Sequence, residues 1–358
     1  MYLCWLDINI FCDIFDAPVC DLMVQQHFVH HTSAQRSTSS EFPRQQHGNT
    51  MEHFTLQLDW QPNAQFAGVI MAQELGWYRD AGINLNIVPW TPHTNQMDAL
   101  ANDGNNGANV LVSTEDNLHI IARAQGKPVI AIGAMIQFSG IGWMTLESAD
   151  IRSIHDLKGK RIGIHGDGIT ALHVTLRQHG LNEADVEIVD VGFNYDELLS
   201  SGEYDAIQCF VIVEPRELAQ KGFKLHSLPA YAWGYRVYSQ VISTTERMLA
   251  RQRPALERLL KATFDGWRYA IAHPDEAAQM IVSRYLPDAN AEAQAGMLAD
   301  MTPHLIGDVG IERLGWMQAE RWDKSIGYLA DAGIIPARIN TEEVMTNDLM
   351  ASIYNIAP

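Results

Sequence analysis

The run Leu58-Asp59-Trp60-Gln61-Pro62-Asn63 closes an alternating apolar–polar segment, His53–Asp59, that reads as a strand. At the carboxyl end of a strand in an open α/β sheet, side chains face the ligand crevice. An indole there can stack on a flat heteroaromatic ring, worth about 0.5–1.5 kcal/mol beyond its area burial. The alternative is a core tryptophan that closes the fold. Pro62-Asn63 indicates a loop, which favours exposure of Trp60 to the cleft, with Asn63 beside it.

A second cluster is Val112-Ser113-Thr114-Glu115-Asp116-Asn117, at the end of an apolar strand and the start of a helix. Thr114 can cap through its hydroxyl, and acids in the first turn suit the helix dipole. Capping alone would account for these residues. The functional reading is that Glu115 or Asp116 accepts hydrogen bonds from an exocyclic amine or a protonated ring nitrogen, with Ser113 and Thr114 nearby. His119 falls one turn into the helix and reads as packed.

The third is Gly163-Ile164-His165-Gly166-Asp167-Gly168-Ile169-Thr170, a glycine-rich strand-to-helix turn. Such a turn offers backbone N–H groups to a polar or anionic group. No Lys-Ser/Thr follows, so it is not a P-loop, and Asp167 opposes a phosphate. Glu214 follows the strand ending at Phe210 and faces the crevice by the carboxyl-end rule; pairing with Arg216 or Arg236 is the plain alternative. Asn194-Tyr195 can add a hydrogen bond and a ring, and Trp233 and Tyr235 could form an aromatic lid. The sequence contains no Gly-x-Ser-x-Gly, Ser-x-x-Lys or His-Glu-x-x-His pattern.

These residues need elements to hold them. A length of 358 residues suggests two domains, and strands alternating with helices argue for α/β layering. Strands are read at His53–Asp59, Ile83–Val88, Asn109–Ser113, Pro128–Ile136, Arg161–His165, Val186–Asp190, Ala206–Phe210 and Val237–Ser243. From Thr244 the pattern is helical. Lobe one is placed at 53–136 plus about 237–355, and lobe two at 150–235. The chain then crosses between them near 137–149 and 230–243, leaving a cleft.

Composition narrows the partners. Twenty-five basic against 43 acidic residues give a net charge of −18, which repels nucleic acid and anionic membrane surfaces. No run approaches the roughly 18 apolar residues of a membrane helix. Three of four cysteines fall in the first twenty residues, so no disulfide framework or zinc spacing emerges. Residues 1–50 read as a disordered or mis-assigned leader, with Met51 as the expected natural start; a peptide spanning Asn49–Glu52 in the endogenous protein would refute that. No export signal is visible, which places the chain in the cytoplasm as written, or in the periplasm if the natural start lies elsewhere.

Taken with Ala72-Gln73-Glu74-Leu75-Gly76-Trp77-Tyr78, Ala124-Gln125-Gly126-Lys127-Pro128-Val129 and Asp156-Leu157-Lys158-Gly159-Lys160-Arg161-Ile162-Gly163, the Trp60 and Ser113–Asp116 motifs resemble one family over roughly residues 53–335. It comprises thiamine-pyrimidine synthases and ABC-transporter substrate-binding proteins. The resemblance implies a two-lobed α/β fold of the type II periplasmic-binding-protein kind with a helical C-terminal tail. It also implies a ligand related to 4-amino-5-hydroxymethyl-2-methylpyrimidine. Trp60 then corresponds to the stacking tryptophan, and Gly166–Thr170 to the stretch that contacts phosphate in the synthases. The synthase branch uses a histidine and a lysine-bound pyridoxal phosphate, with iron and a cysteine-rich motif. By register from Gly126 the lysine position falls on Thr114 and the histidine position on Leu118, with His119 one residue away. Gly234-Tyr235-Arg236-Val237-Tyr238-Ser239-Gln240 holds no cysteine.

The expectation is therefore a binding protein for a small flat heterocycle, a thiamine pyrimidine precursor before others, without a cofactor or metal. An ABC-transporter permease is the implied partner. The alternatives are a synthase, which alone would need pyridoxal phosphate and iron with His119 in a catalytic role, and a sulfonate- or flavin-binding protein.

Overall fold

The computed structural model describes residues 51–100, 109–166 and 168–356. The leader at 1–50, Asp167 and the end of the helix expected at 95–101 lie outside the described residues. Ten strands form two five-stranded sheets. The first contains β1 (Glu52–Gln57), β2 (Ile83–Val88), β3 (Val110–Thr114), β4 (Val129–Ile136) and β10 (Ser239–Thr245), in the order β2-β1-β3-β10-β4. The second contains β5 (Ile141–Leu146), β6 (Arg161–Ile164), β7 (Glu187–Asp190), β8 (Ala206–Phe210) and β9 (Leu225–Pro229), in the order β7-β6-β8-β5-β9.

The two sheets are wired alike. In each, three parallel strands are followed by one antiparallel strand that has just arrived from the other sheet: β10 beside β3, and β5 beside β8. The sequence reads 137–149 as a connection, whereas β5 begins at Ile141 and only 137–140 remains as the first crossing. The strand is hard to read because its second residue is Gly142. A Cβ there would lie 2.5 Å from the Leu228 carbonyl oxygen, so the β5–β9 pairing requires glycine. The strand β9 is also missing from the sequence reading; its Leu225-His226-Ser227-Leu228-Pro229 lacks a clean apolar alternation.

Helix α1 (Ala67–Glu74) follows a single 3-10 turn, Ala64–Phe66, and the short α2 (Trp77–Asp80) follows Gly76. Helix α3 (Asp116–Ala124) follows β3, α4 (Ile169–Gln178) follows β6, α5 (Tyr195–Ser201) follows β7, and α6 (Glu214–Gln220) follows β8. The C-terminal run comprises α7 (Glu246–Ala272), α8 (Pro274–Arg284), α9 (Ala291–Ile306), α10 (Ala319–Asp331), α11 (Thr341–Val344) and α12 (Asp348–Tyr354). The Thr245 hydroxyl caps α7 by accepting from Met248 N at 3.1 Å. Helix α7 packs across α1, and a Cβ on Gly68 would overlap the Trp267 indole, so small residues set that close crossing. Among the described residues no helix is long and apolar enough to cross a membrane.

Helix α10 grips both crossings. The Arg321 guanidinium, almost fully buried, lies 4.6 Å from the ring centres of Phe138 in the first crossing and Tyr238 in the second. It also donates to the Gln137 carbonyl and pairs with Asp308 at 2.8 Å. A guanidinium stacked between two rings and hydrogen-bonded in plane holds the two connections at a fixed spacing.

Candidate functional site

A cavity of about 130 Å³ lies where the two sheets face each other, with walls from both.

Trp60 stands on the wall, half-buried, immediately beyond β1. Its loop is fixed from several sides. Asn63 Oδ1 accepts from Gln65 N at 2.9 Å, Ala64 N donates to Gln294 Oε1 of α9 at 2.8 Å, and Gln61 Nε2 donates to the Trp90 carbonyl at 2.9 Å. The indole stacks on Trp90, with centroids 5.2 Å apart and planes 29° off parallel. Phe193, from the loop after β7 of the other sheet, reaches across to Trp60 at 5.4 Å and stacks on His165 at 4.3 Å. Neither gap around Trp60 admits a further ring, so a flat ligand that stacks on the indole must displace a neighbouring ring, of which Phe193 is 49% exposed.

The polar wall is acidic. Asp59, Glu115 and Glu214 all line the cavity, and no Lys or Arg is among the described residues that do. Ser113 Oγ donates to Asp59 Oδ1 at 3.1 Å. Glu115 accepts from the Ser239 hydroxyl and, at 3.4 Å, from Ser139. Glu214 Oε2 accepts from Phe210 N at 2.6 Å. Three carboxylates on a wall that no Lys or Arg lines among the described residues disfavour an anionic guest and favour one rich in N–H donors or positively charged.

Asp116 turns the other way. It is fully buried, accepts from Tyr238 N at 3.1 Å and Ser325 Oγ at 2.8 Å, and so ties α3 to the second crossing and to α10. Burial pushes its carboxyl up to about 7, against the downward pull of those hydrogen bonds. His119 is also buried: Nε2–H donates to the Val344 carbonyl and Nδ1 accepts from Ser243 Oγ, both at 2.9 Å. Burial lowers its pKa to about 4, so the ring is neutral. Thr114 is buried, its hydroxyl without a partner among the described residues, and it does not line the cavity.

The glycine loop differs from its sequence reading. Gly166, Gly168, Ile169 and Thr170 are not on the cavity wall; His165, just before them, is. A Cβ on Gly168 would overlap the Gln208 amide, which fills the hollow under the turn and accepts from His165 N at 2.9 Å. His165 donates from Nδ1 to the Val191 carbonyl and accepts at Nε2 from the Tyr195 hydroxyl. Asn194 sits outside, donating to Glu197 at 2.6 Å, while Tyr195 lines the cavity. Of the suggested lid, Tyr235 is on the wall, but Trp233 packs on His179, just beyond α4, instead. Arg216 pairs with Asp300 of α9, not with Glu214.

Sequence reasoning passed over Trp90, Phe193, Gln65, Gln208 and Gln240. The carboxyl-end rule that found Trp60 also covers Trp90, two residues beyond β2. Gln240 carried no signal: its backbone is left-handed (φ 50) inside β10, which costs a non-glycine residue on the order of 1–3 kcal/mol.

A profile of proteins described as NMT1/THI5 like matches residues 63–277. The chain belongs to the NMT1/THI5-like family. Among similar proteins, the riboflavin-binding protein RibY of Chloroflexus aurantiacus is 24% identical over 326 residues, covering 89% of this chain and 91% of that protein. A formylaminopyrimidine-binding protein of Halalkalibacterium halodurans is 24% identical over 305 residues, covering 83% and 88%. Among solved structures, the alkanesulfonate-binding protein SsuA of Xanthomonas axonopodis pv. citri superimposes with a TM-score of 0.63 at 13% identity, covering 82% of this chain and 97% of that one. This NMT1/THI5-like chain has the two-lobed type II periplasmic-binding-protein fold, with its helical C-terminal run.

The position assigned to the lysine is the buried Thr114, and His119 is spent on Val344 and Ser243. Among the described residues no group of three His, Cys, Asp or Glu is placed to hold a metal ion.

Proposed function

We propose that this protein binds a small, flat, amine-bearing heterocycle between its lobes, a thiamine pyrimidine precursor of the 4-amino-5-hydroxymethyl-2-methylpyrimidine type. The process served is uptake or biosynthesis of that precursor. The observation that carries this reading is the pairing of a half-buried indole, Trp60, with an acidic wall that has no lining Lys or Arg among the described residues. The indole supplies a surface for a planar ring, and Asp59, Glu115 and Glu214 accept from its amine and protonated nitrogen. A sulfonate or a phosphate would meet three carboxylates. Similarity to the formylaminopyrimidine-binding protein supports the same ligand class. The partner of such a protein is an ABC-transporter permease, to which the loaded protein delivers its cargo.

Calorimetric titration of the wild type and Trp60→Ala with 4-amino-5-hydroxymethyl-2-methylpyrimidine tests the stacking role. Loss of the indole should weaken binding about tenfold or more. Unchanged affinity would remove Trp60 from the site.

A further inference from the structure

One buried acceptor of a wall residue has no partner among the described residues. Gln240 lines the cavity at 2% exposure, and its Oε1 has no hydrogen-bond partner among the described residues. Its Nε2 is committed, donating at 3.1 Å to Gln65 Oε1 in the turn that follows Trp60. The backbone around it is paired on both sides, Ser239 with Ile136 and Val241 with Ala134, while Gln240 itself is left-handed. A strand residue held in that conformation between two ladder-paired neighbours is re-aimed out of the strand's alternation. A buried carbonyl without a partner is costly to maintain, and the cost is relieved when a guest supplies the donor.

We infer that Gln240 is a specificity-determining residue whose Oε1 accepts from an N–H of the bound heterocycle, an exocyclic amine. The inference rests on the binding function proposed above and adds the atom that distinguishes an aminated ring from its unaminated analogue. A site built to hydrogen-bond a donor rejects the analogue that lacks it, because the acceptor then stays buried and unpaired. Trp60 cannot make this distinction, since both rings present the same face to the indole. Gln65 acts as a positioning residue: it holds the Gln240 amide so that nitrogen, and not oxygen, is engaged within the protein.

The test is calorimetry on the full chain with two probes, 4-amino-5-hydroxymethyl-2-methylpyrimidine and the same molecule with hydrogen in place of the amine. The proteins are wild type, Gln240→Met and Gln240→Asn. Wild type should prefer the aminated probe by about tenfold. Gln240→Met, similar in length and unbranched, should lose affinity for the aminated probe alone and so show a smaller preference than the wild type. Asparagine tolerates the left-handed backbone but is one methylene shorter; it should fold and show a reduced preference, so it carries the test if the methionine variant does not fold. Retention of the full preference in both variants would overturn the role of Gln240 while leaving the binding function standing. Equal losses on both probes would also overturn it, by showing a packing role only. Failure of the wild type to bind either probe would refute the binding function and this inference with it.

Discussion

Two strand-to-helix corners, one from each sheet, face the same cleft and use it differently. At the β3–α3 corner, consecutive acids part company: Glu115 lines the cavity, and Asp116 turns inward to hold the second crossing and α10. At the β6–α4 corner, the Gln208 amide fills the space beneath Gly168, and among the described residues of the turn only His165 reaches the wall. A strand-to-helix turn is thus a ligand loop only where the volume in front of it is empty. Residue type proposes the site, but the side chain arriving from a neighbouring strand, here Gln208 of β8, decides it.

The strongest way to break the contrast is Gly168→Ala. The new methyl must displace Gln208, with a loss of about 1–3 kcal/mol of stability by thermal unfolding. In a Gln208→Ala background the same change should cost little, and equal costs in both backgrounds would show that Gln208 does not fill the hollow. Next is Glu115→Gln, which removes a charged acceptor from the wall. It should weaken binding of the aminated pyrimidine roughly tenfold with little change in melting temperature. A drop in stability without a loss of affinity would assign Glu115 to structure.

The smallest effect sharpens the inward-facing half of the corner. The raised pKa of Asp116 gives the folded protein an advantage below about pH 4 that is lost as pH rises through about 7. The depressed pKa of His119 has the opposite sign: its contribution is present above about 6.5 and is lost as pH falls toward 4. The two slopes oppose each other across that window. Asp116→Asn should therefore leave a protein whose stability falls more steeply on acidification from pH 6.5 to 4 than the wild type's, measured by denaturant unfolding. Identical pH profiles would mean that Asp116 does not titrate in this range.

Much of the fold was legible because its punctuation is local. Gly76, Gly126 and Gly222, all left-handed, end their helices, and β1 through β4 read directly from apolar patterning. Trp60 was legible by the carboxyl-end rule. What escaped was set by tertiary contact. The strand β5 hides behind a glycine that only the β9 backbone explains. Phe193 reads as an isolated loop residue until the opposite sheet brings Trp60 to it. Asn63 and Asn194 were read as ligand contacts from their positions, yet both spend their side chains on local hydrogen bonds, a competition that asparagine commonly wins near turns.

Native mass spectrometry of the full chain offers the most direct check on the acidic, indole-walled cavity. The protein is incubated with an equimolar mixture of 4-amino-5-hydroxymethyl-2-methylpyrimidine, its phosphate, riboflavin and an alkanesulfonate. The account predicts one bound molecule with the mass of the unphosphorylated pyrimidine. Retention of the phosphate or the sulfonate in its place would contradict it.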